Sequence, residues 1–524
     1  MMIKKYFRAL SVLLSLIVVA TVVSSEAQTR KKRRAKPAGS QQLSSALSLA
    51  KSGQFLPASS QLFALSRKTE PGADQMQMKY LTGLMLYELK LFQVAAFQFI
   101  DVIRNGNNRY IKQAIEKLSM AADQLGDDTL LNYAISKVQL EEFPADARDM
   151  LFFRIGEMKL KSKDYEGALA AFAKVRPGNR YYAQALYNRG LTAAEMNKAT
   201  DAVNAFQALM NLRSSAKVTD TTKVAATMGL ARSYYQLQDW DKALAAYREI
   251  PRDHELWHDA MFEMSWAYLR SARFRSALSN FQTLHSTYYE DFYLPESLLL
   301  RAIVYLYICK YNEMDKVLGL FEKTYGPARA RITDFVNSAK DPMDYFNELD
   351  KVVQMRRDVR QGKTSGYGGR IPYIIGRHIL REGDISRSVE YLKNLNDEQR
   401  RMQKFPSGWV EGAVGKYSQR ILTNRMKNAK LQIGEMYKNH LLRLRTELRD
   451  FYEQAGFIRF EMINGRKEEI RKKMSGKGLP EQQIDEDTSR DFYVQNGYDY
   501  WPFRGEFWLD ELGNYHYLGK QSCE

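Results

Sequence analysis

"LFFRIGEMKLKSKDYEGALAAFAKVRP" (Leu151–Pro177) sets large, small and aromatic residues at fixed offsets: Phe152, Ile155 and Gly156, then Tyr165, Ala168, Phe172 and Pro177. The offsets suit two antiparallel helices. Gly156 and Ala168 are small where the helices must approach closely, Tyr165 opens the second helix, and Phe172 fills the groove toward the next unit. The pattern recurs on both sides. "GLARSYYQLQDWDKALAAYREIP" places Ala231, Tyr234, Trp240, Ala243, Tyr247 and Pro251 in the same roles. Ser265, Tyr268, Phe274, Ala277 and Phe281 form another copy, and Gly83, Phe92, Ala95 and Phe99 a further one. Weaker copies centre on Phe55/Ala58, Ala202/Phe206 and Tyr305/Tyr311, and a late one has Gly376, Gly383 and Leu392. The residue opening each second helix falls at 55, 92, 165, 199, 240, 274, 311 and 385. The intervals are one or two lengths of a unit of about 36 residues. The doubled gaps call for degenerate units near residues 128 and 348.

This spacing resembles the tetratricopeptide repeat (TPR). The resemblance implies nine or ten helical hairpins over residues 43–400, stacked because one hairpin cannot bury its apolar face alone. It also implies a concave surface for peptides or partner proteins, with no catalytic site and no cofactor. The expected fold class is all-α: a TPR-like α-solenoid, then a long helical or coiled-coil stem, then a small aromatic C-terminal β-hairpin. Composition agrees, with 45% hydrophobic and 27% charged residues, enough to fold, and only 13 prolines to interrupt helices.

The first residues, "MMIKKYFRALSVLLSLIVVATVVSSEAQT", combine Lys4, Lys5 and Arg8 with a short apolar run, Leu10 to Val23. Ser25-Glu26-Ala27 follows as a small-x-small cleavage site, so residues 1–27 read as a secretory signal peptide. A retained anchor is the alternative, although the run is shorter than the ~20 residues a spanning helix needs. The expected location is a Gram-negative periplasm. Residues 28–42 read as a basic, disordered arm built on Arg30, Lys31, Lys32, Arg33 and Arg34. Export argues against nucleic acid as its ligand. Peptidoglycan, anionic lipid or an acidic partner fits better, and a solvated tail with no ligand fits equally. The chain's formal charge is +17, of which the first 40 residues supply +8.

Past residues 401–411, a 3/4 spacing replaces the repeat. Leu422, Met426, Ala429, Ile433, Met436, His440, Leu444, Leu448, Phe451, Ala455, Ile458 and Met462 mark one apolar stripe of a long helix, or of two joined near Gly456. The stem runs to residue 474, with His440 read as a satisfied seam residue. Residues 475–489 form a polar linker and residues 490–524 an aromatic module. There "GEFWLDELGNYHYLG" has β-prone aromatics on both sides of Leu512-Gly513-Asn514, the composition of a hairpin. Such a hairpin is marginal alone, so its aromatics must rest on another surface. Trp501, Phe503, Trp508, Asp510, Glu511 and Tyr515 are the candidate interaction residues, with a plain structural cap as the alternative role.

The end of the chain, "YWPFRGEFWLDELGNYHY" with Cys523 close behind, resembles the C-terminal signature of exported TPR proteins from predatory and gliding Gram-negative bacteria. The matching positions include Trp501, Pro502, Phe503, Gly505, Glu506, Trp508, Asp510, Glu511, Leu512, Gly513 and Tyr515. The resemblance implies an envelope scaffold, in some members part of gliding-motility machinery. Cys309 and Cys523 are the two cysteines. In an oxidising compartment they can pair; Cys309 as a packing residue and Cys523 as a free thiol is the other reading.

Two catalytic motifs are mimicked. "HELWH" (His254, Glu255, His258) matches the zinc-protease pattern H-E-x-x-H, and His285 and Glu290 are conceivable third ligands. It sits after Pro251 at a turn between repeats, which disfavours a metal site. "QGKTSGYGG" (Gln361–Gly369) resembles the end of a phosphate-binding loop, but Arg357 stands where the upstream glycine belongs. The reading is therefore a periplasmic, non-enzymatic scaffold that binds envelope proteins through a TPR groove. The alternative is a cell-wall- or anionic-lipid-associated factor using the basic arm and stem. Oligomeric state is not encoded in any motif.

Overall fold

The computed structural model describes residues 38–67, 74–105, 109–137, 145–213, 219–289, 292–363, 366–475 and 506–517. The described chain is helical, with no strand among the described residues. It divides into two compact units: residues 1–143 with 386–432, and residues 144–385 with 433–524.

The first unit holds α1 (Ala38–Lys51), α2 (Phe55–Ser66), α3 (Gln75–Glu88), α4 (Phe92–Arg104), α5 (Ile111–Leu125) and α6 (Thr129–Ile135). It also takes most of α19 (Gly383–Met402), the short α20 (Ser407–Val410) and the first part of α21 (Ala413–Met474). In the second unit the pairs are α7 (Ala145–Lys161) with α8 (Tyr165–Ala173), α9 (Tyr182–Glu195) with α10 (Ala199–Met210), and α11 (Asp220–Gln236) with α12 (Trp240–Arg248). They continue with α13 (Trp257–Arg270) and α14 (Phe274–Leu284), α15 (Pro295–Tyr307) and α16 (Tyr311–Ser338), and α17 (Pro342–Arg360) and α18 (Tyr373–Arg381).

Second helices open at Phe55, Phe92, Tyr165, Ala199, Trp240, Phe274 and Tyr311, the positions the spacing specifies. The turn before each of them is the same. Gly53, Lys90, Lys163, Asn197, Gln238, Ala272 and Cys309, two residues upstream, all lie in the left-handed region, the six non-glycines at φ 56–62°. In the second of these turns, Lys90 N–H donates to Tyr87 C=O and Leu91 N–H to Leu86 C=O. The equivalent pair closes the other six, a Schellman-type stop that satisfies the last carbonyls of the first helix. One repeated backbone device thus closes these seven hairpins, and it tolerates Lys, Gln and Cys where glycine would be easiest.

Small residues and aromatics interlock as expected. A Cβ added at Gly83 would meet the Phe99 ring at 2.6 Å, and Gly156 lies still closer to Phe172. Phe206 touches two glycines: Cβ atoms at Gly190 and Gly229 would meet its ring at 2.6 and 2.5 Å. Around it Leu186, Ala193, Ala202, Leu209 and Ala226 complete a dry cluster. Of the two degenerate units, α5/α6 places its second helix at Thr129. The other differs: residue 348 falls inside α17, and its partner α18 opens only at Tyr373, after a connection spanning Gln361 to Pro372. The late copy opens at Gly383, not at residue 385.

The stem is one helix, continuous through Gly456. All of its sequence stripe is buried except Met436 and Phe451, which are half-buried. In the first unit, Tyr417 meets Phe63 (5.0 Å between ring centroids) and Trp409 Nε1 donates to Ser59 Oγ (2.9 Å). In the second, Tyr452 packs on Phe321 (4.9 Å), and Gly434 lets α21 approach the Pro342 carbonyl closer than any Cβ would allow.

The C-terminal β-hairpin is corrected. Residues 508–514 fold as consecutive turns, Glu511 N–H donating to Trp508 C=O and Asn514 N–H to Glu511 C=O. A ladder fails to form because the backbone finds other partners. Gly513 N–H donates to Thr283 Oγ1 and Tyr517 N–H to Ser279 Oγ, both at 2.8 Å. With the hydroxyls of α14 supplying acceptors, the aromatics need no second strand.

Candidate protein-interaction surfaces

First helices neighbour first helices in the second unit: α9 lies beside α7 and α11, and α13 beside α15. Their 3.6-residue period presents a common polar-aromatic face. On α11 it carries Arg232 and Tyr235, on α13 Glu263, Trp266 and Arg270, and on α15 Glu296 and Tyr307. Arg232 binds Glu263 bidentately (Nε–Oε2 2.8 Å, Nη2–Oε1 2.6 Å), and Tyr247 adds a donor to the same carboxylate at 3.0 Å. Tyr307 is 58% exposed and stacks on Phe274 at 5.3 Å. Burial raises the Glu296 carboxyl above its ordinary range. Charge pairs joined to half-exposed aromatics make a surface suited to peptide recognition, because the rings offer area at little entropic cost.

Sequence reasoning missed what covers one margin of this face. Arg381 of α18 forms an ion pair with Asp259 at 2.6 Å and also reaches the Glu255 carbonyl. Burial nevertheless holds the Asp259 carboxyl above its usual value, outweighing the arginine. Tyr293 donates to Glu447 of α21 at 3.5 Å, and burial likewise raises Glu447. The chain therefore supplies its own partners near the starts of α13 and α15, while Tyr235, Trp266, Arg270 and Tyr307 remain accessible to different degrees. No local periodicity encodes such distant pairs.

Of the tail residues, Leu512 is buried, whereas Trp508 and Leu509 are 56% and 68% exposed. Arg252 Nη1 lies 3.5 Å from the Asp510 carbonyl, and Gly513 (φ 82°) sits against Trp257. Tyr515 crosses Phe507 edge-on at 6.3 Å; burial, reinforced by Glu511, pushes its phenol up to about 12. The segment is thus anchored on α13 and α14 and turns Trp508 outward, with Asp510 exposed beside it. Trp501, Phe503 and Cys523 lie outside the described residues, as do Arg30, Lys31, Lys32, Arg33, Arg34 and Glu290. Cys309 accepts a contact from the Tyr311 hydroxyl at 3.3 Å, and no described cysteine is free.

"HELWH" does not form a paired-ligand helix. α13 begins at Trp257, so His254 lies before it, with Nδ1 accepting from Leu256 N–H at 3.1 Å. His258 instead inserts between the rings of Tyr289 and Phe292, at 4.6 and 4.0 Å. Burial, with Arg381 and Arg377 nearby, lowers it to about 3. His285 meets Ser297 and Arg301, not His258, as a hydrogen-bond partner. Among the described residues no group of three His, Cys, Asp or Glu could hold a metal ion. His440 is satisfied: Nδ1 accepts from Arg443 (2.8 Å), which leaves the proton on Nε2 to donate to Asp384 (2.9 Å). Of the described residues, no helix is long and apolar enough to cross a membrane.

Residues 225–254, spanning α11 and α12, match the tetratricopeptide repeat family model. No curated protein matches the chain. Solved structures with similarity include the MamA protein (17% identity, 34% of this chain and 91% of that one, TM-score 0.28). The apo form of RapI aligns at 12% identity over 70% of this chain and 99% of its own, with TM-score 0.34. A Rap protein complexed with competence and sporulation factor aligns at 9% over 76% and 99%, with TM-score 0.28.

Proposed function

We propose that this chain is a non-enzymatic scaffold of the cell envelope that holds partner proteins on the first-helix face of its TPR-type repeats. The observation that carries the reading is the surface of Trp266, Arg270 and Tyr307, half-exposed rings and a charge laid beside the Arg232–Glu263 pair that Tyr247 ties to the core. The core beneath is built from glycine–aromatic interlocks, to which Trp266, Arg270 and Tyr307 do not belong. Export through the N-terminal segment would place the scaffold in the periplasm, and the C-terminal likeness to exported TPR proteins of gliding bacteria points to an envelope complex, with motility as one setting. The exposed Trp508 would then serve orientation or assembly.

Crosslinking in living cells followed by purification tests this. Envelope proteins should co-purify, and Arg270→Glu combined with Trp266→Ala should reduce their recovery at least fivefold without changing the protein's level. Recovery of no reproducible partner rejects the scaffold reading. A mature N-terminus found in the cytoplasmic fraction rejects the location.

A further inference from the structure

The last four turns of α21 carry a second apolar stripe that the hairpins of the described residues do not cover. Phe460, Ile463, Ile470 and Met474 are 58%, 56%, 56% and 83% exposed, and Lys467 occupies the remaining place in the row. Their spacing is 3, 4, 3 and 4, the a/d seam of two heptads. At 3.6 residues per turn the seam is centred roughly 140° around the helix from the face that docks on α16. That docked face is Ala455, Ile458, Met462 and Gly465, the last against the Tyr311 ring.

The charges beside the seam decide what fits it. Arg459 and Arg466 flank one side, and Asn464 and Arg471 the other. Arg459 pairs with Glu322, Arg466 donates to the Tyr311 carbonyl and Asn312, and Arg471 pairs with Glu468. The carboxylates of this stretch, Glu461, Glu468 and Glu469, occupy b and c positions of the heptad, not its flanks. A second copy of the chain laid on this seam would set arginine against arginine in either direction and bury Lys467 against itself.

We infer that residues 457–474 of α21 form a docking seam for an acidic amphipathic helix of another protein. Its apolar a and d residues would cover Phe460, Ile463, Ile470 and Met474, and its flanking carboxylates would meet Arg471 and Lys467. Phe457, 74% exposed, extends the contact at the near end. Two heptads supply limited area, so the affinity expected is micromolar. The inference does not depend on the first-helix face, and its test uses different substitutions.

The probe is a synthetic 21-residue helix with Leu at a and d and Glu at e and g, labelled for fluorescence anisotropy against the full chain. Micromolar binding is expected, weakened at least tenfold by Ile463→Ser with Ile470→Ser, and weakened by salt. The same peptide with Lys at e and g should bind at least tenfold more weakly. Both substituted positions are exposed, so an unchanged melting temperature is expected to confirm folding. Absence of binding by the unsubstituted protein overturns the inference, as does binding that the double substitution leaves intact. Two outcomes would replace the occupant: sedimentation of the chain with anionic phospholipid vesicles that the double substitution abolishes, or a dimer in sedimentation velocity that it dissociates.

Discussion

The two units are built from the same hairpin yet differ in the ionisable groups they bury: histidines occur only in the second. In the first, Glu398 of α19 is 1% exposed and accepts from the Gln93 amide at the start of α4 (2.9 Å), and burial lifts its carboxyl to about 8. In the second lie all six histidines. Burial lowers His258 to about 3 and His378 to about 4, and depresses His285 too. Repeat geometry fixes where helices go. It leaves the choice of buried polar group to each unit, and with it the direction in which pH acts.

The largest effect expected concerns packing. Phe206 fills space against two glycines and Phe99 against one. Phe206→Ala should therefore cost about 4 to 5 kcal/mol and Phe99→Ala nearer 3 kcal/mol. Native-state hydrogen exchange, read separately on peptides of each unit, measures both; equal losses would break the contrast.

Next in size is acid sensitivity of the second unit. A histidine whose folded pKa is lowered contributes stability that is full above its ordinary value of 6.5 and is lost as pH falls toward the folded value. His258 faces Arg377 and Arg381; His285 faces Arg301 and Ser297; His378 faces Glu382, Arg381, Arg443 and Tyr293. Asp259, Glu296 and Glu447, raised by burial, oppose the loss. The net expectation is about 2 kcal/mol lost between pH 7 and 4.5. Exchange protection of the second unit should fall over this range, and His258→Phe should blunt the fall. Protection that is flat with pH would contradict the assignment.

A smaller change is expected in the first unit, with reversed sign. A carboxyl whose folded pKa is raised is most stabilising when protonated, so its contribution is full below about 4.5 and declines as pH rises toward about 8. Glu398→Gln keeps an acceptor for Gln93 and removes the buried charge. It should raise first-unit stability by about 1 kcal/mol at pH 8.5 and change little at pH 5. A destabilised variant at pH 8.5 would show that the carboxylate's hydrogen bonds outweigh its desolvation.

The hairpins were legible in sequence because their determinants are local. Gly156 and Phe172 lie sixteen residues apart, and the second-helix openings follow from one repeated offset. Glu398 and Gln93 are separated by 305 residues, Trp409 and Ser59 by 350, and no periodicity relates such pairs. The stem's buried stripe was readable up to Met462. The seam beyond it was not, since exposed and buried apolar residues alternate there around one helix. The tail misled for a third reason: its aromatics are β-prone, but the hydroxyls of Ser279 and Thr283 captured the backbone donors. Of the candidate tail residues, Trp508 emerges exposed, while Tyr515 lies half-buried against its own segment.

Site-specific photo-crosslinking in cells tests the central claim most directly. A photoreactive phenylalanine placed at Tyr235, Arg270 or Tyr307 should yield the same discrete protein adducts, whereas placement at Lys242 or Arg275, exposed on second helices, should not. Adducts equally frequent from both faces, or from neither, would contradict a scaffold that works through its first-helix surface.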